Sequence, residues 1–127
     1  MKYFIQAILF FVMLLSISCE EKEYYQGEFV IINNCREAID VFSVGRNAPS
    51  LPQGYEIHDI VLANERLSLR KIQISNQAHV NDVFVYIKIY KNSVPSAKNP
   101  IEQNYWRVER NGDKLIHTLI VDSSFFE

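Results

Sequence analysis

The side chains best suited to catalysis or metal binding are widely spaced in this sequence. Its histidines, His58, His79 and His117, lack the His-x-His or His-Glu-x-x-His spacing that brings two imidazoles to one metal ion. His58 precedes Asp59, but adjacent strand residues point to opposite faces, so we do not expect this pair to form a base with its orienting carboxylate. His117 is predicted to pack near Trp106. We therefore predict no catalytic site, no bound metal and no cofactor.

The sequence also lacks the motifs that bind other classes of ligand. The four glycines are scattered, which excludes a glycine-rich phosphate loop and a Gly-x-Ser-x-Gly nucleophile turn. No Asp-x-Asp-x-Asp run suggests calcium. The net charge of −2 argues against a nucleic-acid partner, because binding to phosphates usually needs a positive excess. A binding or structural role is favoured over a catalytic one.

The aromatic residues say more about a possible binding surface than the histidines, acids and glycines do. In the run from Val80 to Lys91, alternation places Val83, Val85, Ile87 and Ile89 on one strand face, and Phe84, Tyr86 and Tyr90 on the other. Exposed aromatic rings on a sheet bind sugars or anchor a protein partner, so these three rings are a candidate recognition surface. The alternative is a strand buried on both faces.

The N-terminus predicts a signal peptide. Lys2 is the only charge before Cys19, and the run from Tyr3 to Ile17 is almost wholly apolar. That run is shorter than the roughly 20 residues that a membrane-spanning helix needs. Acidic residues follow it, and small Ser18 directly precedes Cys19. We therefore expect residues 1–18 to be a cleaved signal peptide.

The segment around Cys19 resembles the lipobox of bacterial lipoproteins, in which the signal peptide is removed before a cysteine that carries lipid. Ser16 stands where the commonest lipobox has Leu. The following Glu20-Glu21-Lys22-Glu23 is similar to the acidic tract of surface-exported, Bacteroidota-type lipoproteins. The resemblance implies lipidation of Cys19, membrane attachment through that lipid, and an outer-membrane location that includes exposure at the cell surface. Residues 19–26 would then be an acidic tether.

The function that follows is a lipid-anchored binding or structural module with a protein or glycan partner. One alternative is an accessory subunit of a surface glycan-uptake or adhesion complex, which an exposed apolar patch or sheet edge would favour. The other is a hydrolase whose site the sequence does not reveal. A deep pocket that holds two acids, or His58 or His117 with an acid, would favour it.

From residue 27 onward the apolar pattern predicts strands. The runs 28–32 and 38–45 suggest an N-terminal hairpin, and the prolines and glycine of 46–56 suggest a loop. Residues 64–74 fit a strand with a bulge near Arg70-Lys71, and a helix that begins at Asn64 is the alternative. With residues 1–18 removed, Cys35 is the only thiol besides Cys19 and is expected to be a buried, small apolar residue.

Asn111-Gly112 predicts a two-residue hairpin turn, because these residues tolerate the positive φ angles of a type I′ turn. That turn would pair Trp106 with His117 and Glu109 with Lys114 across the two strands. The pattern then gives one core face, made of Trp106, Val108, Leu115, Leu119 and Val121.

Six or seven strands over residues 27–127 define the expected fold. Two apolar faces, one on each side of a single core, are best buried by packing two sheets together. We therefore predict an all-β domain, a small antiparallel β-sandwich of immunoglobulin-like or related type. A small open β-barrel is the alternative.

Overall fold

The computed structural model describes residues 23–127. The predicted signal peptide over 1–18 and the proposed lipid site Cys19 lie outside these residues. Within residues 23–127 there are eight strands, one short helix and two 3-10 helices, at Gln103–Tyr105 and Ser123–Phe126. The strands are β1 Tyr24–Asn33, β2 Ile39–Gly45, β3 Ile57–Val61, β4 Arg66–Ser75, β5 Phe84–Lys91, β6 Val94–Pro95, β7 Trp106–Asn111 and β8 Lys114–Val121, and the helix α1 is Val80–Val83.

The strands form an all-β sandwich, as predicted. One sheet has the order β4-β1-β8-β7 and the other β3-β2-β5-β6, and they do not close into a barrel. Neighbouring strands are antiparallel except β1 and β8, which are parallel. In the immunoglobulin order the first two strands are neighbours in one sheet. Here β1 and β2 lie in different sheets, so the fold is a related sandwich.

The predicted N-terminal hairpin is therefore wrong. β1 pairs with β4 and β8, while β2 pairs with β3 and β5. Both strands are central and carry fully buried residues, such as Ile31 and Ile39, that face the shared core. Crossing between the sheets buries both apolar runs, whereas a hairpin would leave them side by side in one layer.

The core lies between the two sheets around Phe29. Its ring stacks on His117, with 4.5 Å between ring centroids, and meets Phe84 and Trp106 edge-on at 5.5 and 6.1 Å. The Trp106 indole N–H donates to the Pro100 carbonyl at 2.7 Å, which satisfies its one polar atom. The remaining members of the predicted core face that are buried are Leu115, Leu119 and Val121. The fifth member, Val108 of the edge strand β7, is exposed.

The β7–β8 hairpin has the predicted faces but not the predicted register. Trp106 pairs with Leu119 and Val108 with His117, so the partners are shifted by two residues and Glu109 faces Ile116. Gly112, with φ of 63°, is the first of the two turn residues. That position is typical of a type II′ turn. A shift of two residues preserves the side-chain alternation, which is why four members of the predicted core face are buried although Val108 is exposed.

Residues 64–74 contain a strand, as the alternating leucines and isoleucines predicted. The bulge in β4 lies near Leu69, because Phe29 pairs with Arg70 and Val30 with Ser68. The extra residue restores the inward direction of the side chains that follow. All four apolar side chains of the strand pack into or against the core: Leu67, Leu69, Ile72 and Ile74.

The run from Val80 to Lys91 is not one strand. Val80–Val83 is the helix α1, and a register shift opposite Val44 and Gly45 disturbs the start of β5. Val85 is consequently 45% exposed instead of facing the core, while Phe84 takes the buried position. The strand β1 also begins at Tyr24, three residues before the predicted domain boundary at 27. No helix within residues 23–127 is long and apolar enough to cross a membrane.

Candidate functional site

A shallow groove of about 440 Å³ lies on the outer face of the β3-β2-β5-β6 sheet. The strand β2 contributes Asp40 and Phe42, which point outward because the alternating residues Ile39 and Val41 face the core. The groove combines ring surface, carboxylates and an amine within one small area. Its lining residues are Asp40, Phe42, Glu56, Lys88, Tyr90 and Ser93.

A stacked cluster forms one part of this surface. The His58 ring lies flat on the Phe42 ring, with centroids 4.2 Å apart and planes 10° from parallel. His58 Nε2 is 2.8 Å from Asp40 Oδ1. Tyr90 meets Phe42 edge-on at 5.6 Å. The cross-strand pairs Phe42 with His58 and Asp40 with Tyr90 bring these four side chains together.

The other part of the surface is built around Tyr86. Its hydroxyl donates a hydrogen bond to the Glu56 carboxylate, and this bond raises the pKa of Tyr86 because it favours the protonated phenol. The Lys88 amine lies 4.6 Å above the centre of the Tyr86 ring. Tyr86 and Tyr90 are therefore on the outer face, with Lys88 between them along β5.

The predicted recognition surface is wrong in one of its three residues. Phe84 is only 2% exposed and packs edge-on against Phe29 in the core. The register shift at the start of β5 reverses its direction relative to Tyr86 and Tyr90. Those two tyrosines do share the outer face.

The contact between Asp40 and His58 was not predicted from the sequence. The acid weighed there as a partner for His58 was Asp59, which is its neighbour in the strand and points away from it. The alternation of β2 and β3 shows which side chains face outward. It does not show which residue of β3 lies beside Asp40, because the connecting loop is too long to set the register.

The Asp40–His58 pair is open to solvent. The side chains of Asp40 and His58 are 39% and 46% exposed, and His58 meets the carboxylate through Nε2. Catalysis by such a pair depends on excluded water and an oriented partner. The geometry is suited to hydrogen bonding with a bound ligand.

The other histidine singled out in the sequence, His117, is a core residue. It is buried, it stacks on Phe29, and its Nδ1 has no hydrogen-bond partner within the described chain. Burial lowers the pKa of His117, which is opposed in part by a hydrogen bond with the Ala78 backbone. The ring is held neutral within the apolar core and does not line the groove.

Cys35 is buried, as predicted. Its Sγ lies 3.6 Å from the Val121 carbonyl oxygen, and burial raises the pKa of the thiol. A protonated, enclosed thiol is a poor nucleophile. Within residues 23–127, no cluster of three or more His, Cys, Asp or Glu side chains is arranged to hold a metal ion.

Comparison of the chain with protein-family models gave no match, and comparisons with curated proteins and with solved structures gave none either. The function is therefore inferred from the chemistry of the groove and from the sequence that precedes β1.

Proposed function

We propose that this chain is a lipid-anchored cell-envelope protein of the outer membrane, and that its β-sandwich is a binding module for a neutral glycan. The observation that carries the proposal is the groove beside Tyr90, where partly exposed ring surface adjoins the carboxylates of Asp40 and Glu56 and the amine of Lys88. The lipid anchor is supported by Cys19 and the sequence around it.

Glycan binding usually needs a flat apolar surface for the C–H face of a sugar and polar groups for its hydroxyls. Tyr90 offers the ring, and the carboxylates accept hydrogen bonds while Lys88 donates them. The two acids outnumber the single amine among the lining residues. That balance disfavours an anionic ligand and favours a neutral one.

The strand directions place most of the groove away from the start of the domain. Tyr24 pairs with Ser75 at one end of the sandwich, and Val61 contacts Asn33 at the other. Asp40 and Tyr90 lie one row from that second end, since neighbouring Ile39 pairs with Val61. An anchor that precedes Tyr24 would therefore leave this part of the groove facing away from the membrane.

The tether in this proposal is short. Cys19 and Tyr24 are five residues apart in the sequence, which at full extension is about 18 Å. A lipid on Cys19 would therefore hold the sandwich close to the membrane, with the Asp40–Tyr90 end outermost.

Glycan binding is tested by applying the full chain, held in amphipol, to an array of neutral and charged glycans. We expect a neutral glycan to bind and Tyr90→Ala to weaken that binding at least about 10-fold, a loss that corresponds to about 1.4 kcal/mol. Tyr24→Ala is the control, because Tyr24 is also an aromatic residue with solvent exposure, 55% of its surface, but lies outside the groove. Binding confined to anionic glycans, or equal binding by the Tyr90 variant, would contradict the proposal.

An accessory subunit of a surface complex is the second candidate, and the edge strand β3 favours it. Ile60 is 62% exposed there, and the exposed Leu62 follows the strand. An open sheet edge with apolar side chains can accept a strand from a partner. In this case Ile60→Lys would abolish capture of a partner by crosslinking in intact cells, while Tyr90→Ala would leave it unchanged.

The hydrolase alternative has one observation in its favour, the contact of His58 with Asp40. The same array experiment tests it, because a hydrolase would convert the bound glycan. We expect mass spectrometry to recover the glycan unchanged after prolonged incubation with the chain.

A further inference from the structure

A second cavity, of about 550 Å³, lies between the two sheets on the side where β3 and β4 form their edges. It shares no lining residue with the groove. Leu69 and Ile72 of β4 form one wall, Ile57 of β3 lies opposite them, and Phe84 closes the inner end. Apolar side chains of both sheets therefore meet in a cleft that is not filled by the protein.

The unequal lengths of the two edge strands explain this cleft. β4 continues to Ser75, whereas β3 covers only Ile57–Val61. The remaining length is covered by residues 46–56, a loop with hydrogen bonds from Leu51 N–H to the Ala48 carbonyl and from Tyr55 N–H to the Pro52 carbonyl, both within the loop. A loop closes the core less tightly than a strand that pairs along its whole length would.

A guanidinium group lies at this apolar cleft. Arg70 Nη1 donates to the Val83 carbonyl at 2.7 Å, and within residues 23–127 no carboxylate lies within 4 Å of the group. A guanidinium has five N–H donors, so this bond leaves donors for a ligand. Lys71 also lines the cleft, and none of the described lining residues is acidic.

Gly45 makes room for this arrangement. A Cβ added at Gly45 would lie 3.1 Å from Arg70 Nη1, closer than ordinary van der Waals contact. The guanidinium is therefore packed directly against the β2 backbone. Its charge is partly removed from water, which lowers the pKa of Arg70, and a bound anion would offset that cost.

We propose that this cleft binds a small amphiphilic carboxylate, with its apolar body between Leu69, Ile72 and Phe84 and its carboxylate on Arg70. The volume lies within the range of about 300–1,000 Å³ that small-molecule sites occupy. A bidentate pair of carboxylate and guanidinium supplies the orientation, and the aliphatic walls supply the affinity. This site is independent of the glycan groove.

The probe is octanoate, titrated calorimetrically into the full chain held in amphipol, with empty amphipol as the blank. We expect saturable binding with a Kd below about 1 mM. Octanol, which has the same apolar body and no charge, should bind at least about 10-fold more weakly. Absence of saturable octanoate binding, or equal binding of octanol, would overturn the proposal. This test uses the unmodified chain and needs no variant.

Variants then locate the site. Arg70→Gln should weaken octanoate binding at least about 10-fold, Arg70→Lys should retain part of it, and Ile72→Trp should block it by filling the cleft. Lys88→Gln is the matched control, because it removes a cation from the other cavity. Circular dichroism establishes that each variant is folded, and unchanged binding by a folded Arg70→Gln variant would overturn the assignment.

Discussion

Asn33 is the buried polar residue that ties the two sheets together. Its Nδ2 donates to the carbonyls of Val61 and Glu37, at 3.0 and 2.8 Å, and its Oδ1 accepts from the Cys35 N–H at 2.9 Å. Three hydrogen bonds satisfy a side chain with no exposure to solvent. The amide thus stabilises the chain crossing from β1 to β2.

Replacement of Asn33 tests that role. Asn33→Ala removes three hydrogen bonds to the backbone, two of them buried, and we expect the free energy of unfolding to fall by about 3 kcal/mol. Asn34→Ala, at the exposed neighbouring position, should change it by less than about 0.5 kcal/mol. Urea unfolding measures both. A loss for Asn33→Ala no larger than that for Asn34→Ala would show that the crossing does not depend on this amide.

His117 makes stability depend on pH. Burial lowers its pKa below the ordinary value of 6.5, so on acidification the unfolded chain takes up this proton before the folded chain does. The contribution of His117 is therefore unchanged well above pH 6.5. It becomes progressively unfavourable as the pH falls from 6.5 to the lowered pKa of the folded state.

The expected result is a fall in the midpoint of urea unfolding from pH 7 to pH 5, and a smaller fall for His117→Phe. The phenyl ring preserves the stacking on Phe29 but cannot be protonated. His79→Gln, at an exposed position, should retain most of the dependence. An equal dependence in the His117→Phe variant and the unmodified chain would contradict this assignment.

Among the elements, the β5–β6 hairpin has a turn that the sequence did not reveal. Asn92 and Ser93 have φ of 52° and 64°, the pattern of a type I′ turn. Asn accepts positive φ readily, whereas Ser does so at a cost. The chain therefore turns tightly between β5 and β6, where Lys91 pairs with Val94.

Ser93→Gly should relieve that cost. We expect the free energy of unfolding to rise by about 1 kcal/mol, because glycine adopts positive φ without steric penalty. Ser50→Gly, in an exposed loop position without positive φ, should give no gain. Chemical denaturation measures both changes, and a destabilised Ser93→Gly variant would show that the hydroxyl contributes more than the backbone strain costs.

Alternation was sufficient to predict the sandwich, because side-chain direction in a strand is a local property. It predicted the buried Trp106, Leu115 and Leu119 even though the hairpin register was wrong by two residues. It failed at Phe84 and Val85, where a register shift against β2 reverses the faces. Such a shift depends on the partner strand and has no signal in β5 itself.

The candidate groove was less predictable than the fold for the same reason. Tyr86 and Tyr90 could be placed on a common face from their own spacing. Asp40, Phe42 and His58 come from two strands separated by a long loop, and their contact depends on the pairing Phe42 with His58. Long-range register is set by the packing of the whole sandwich, so local patterns do not contain it.

For the whole molecule, the orientation of the groove depends on where the chain is attached. The strand β1 begins at Tyr24, at the end of the sandwich opposite the Asp40–Tyr90 part of the groove. A lipid on Cys19 would bring the Tyr24 end to the membrane and turn the groove toward potential partners. An anchor elsewhere in the chain would remove the reason for that orientation.

Mass spectrometry of the N-terminal peptide, from the protein extracted from isolated outer membranes of its native host, tests this claim most directly. The account predicts a mature chain that begins at Cys19 and carries acyl chains on that residue. A chain that retains residues 1–18, or one that begins elsewhere or carries an unmodified Cys19, would contradict it.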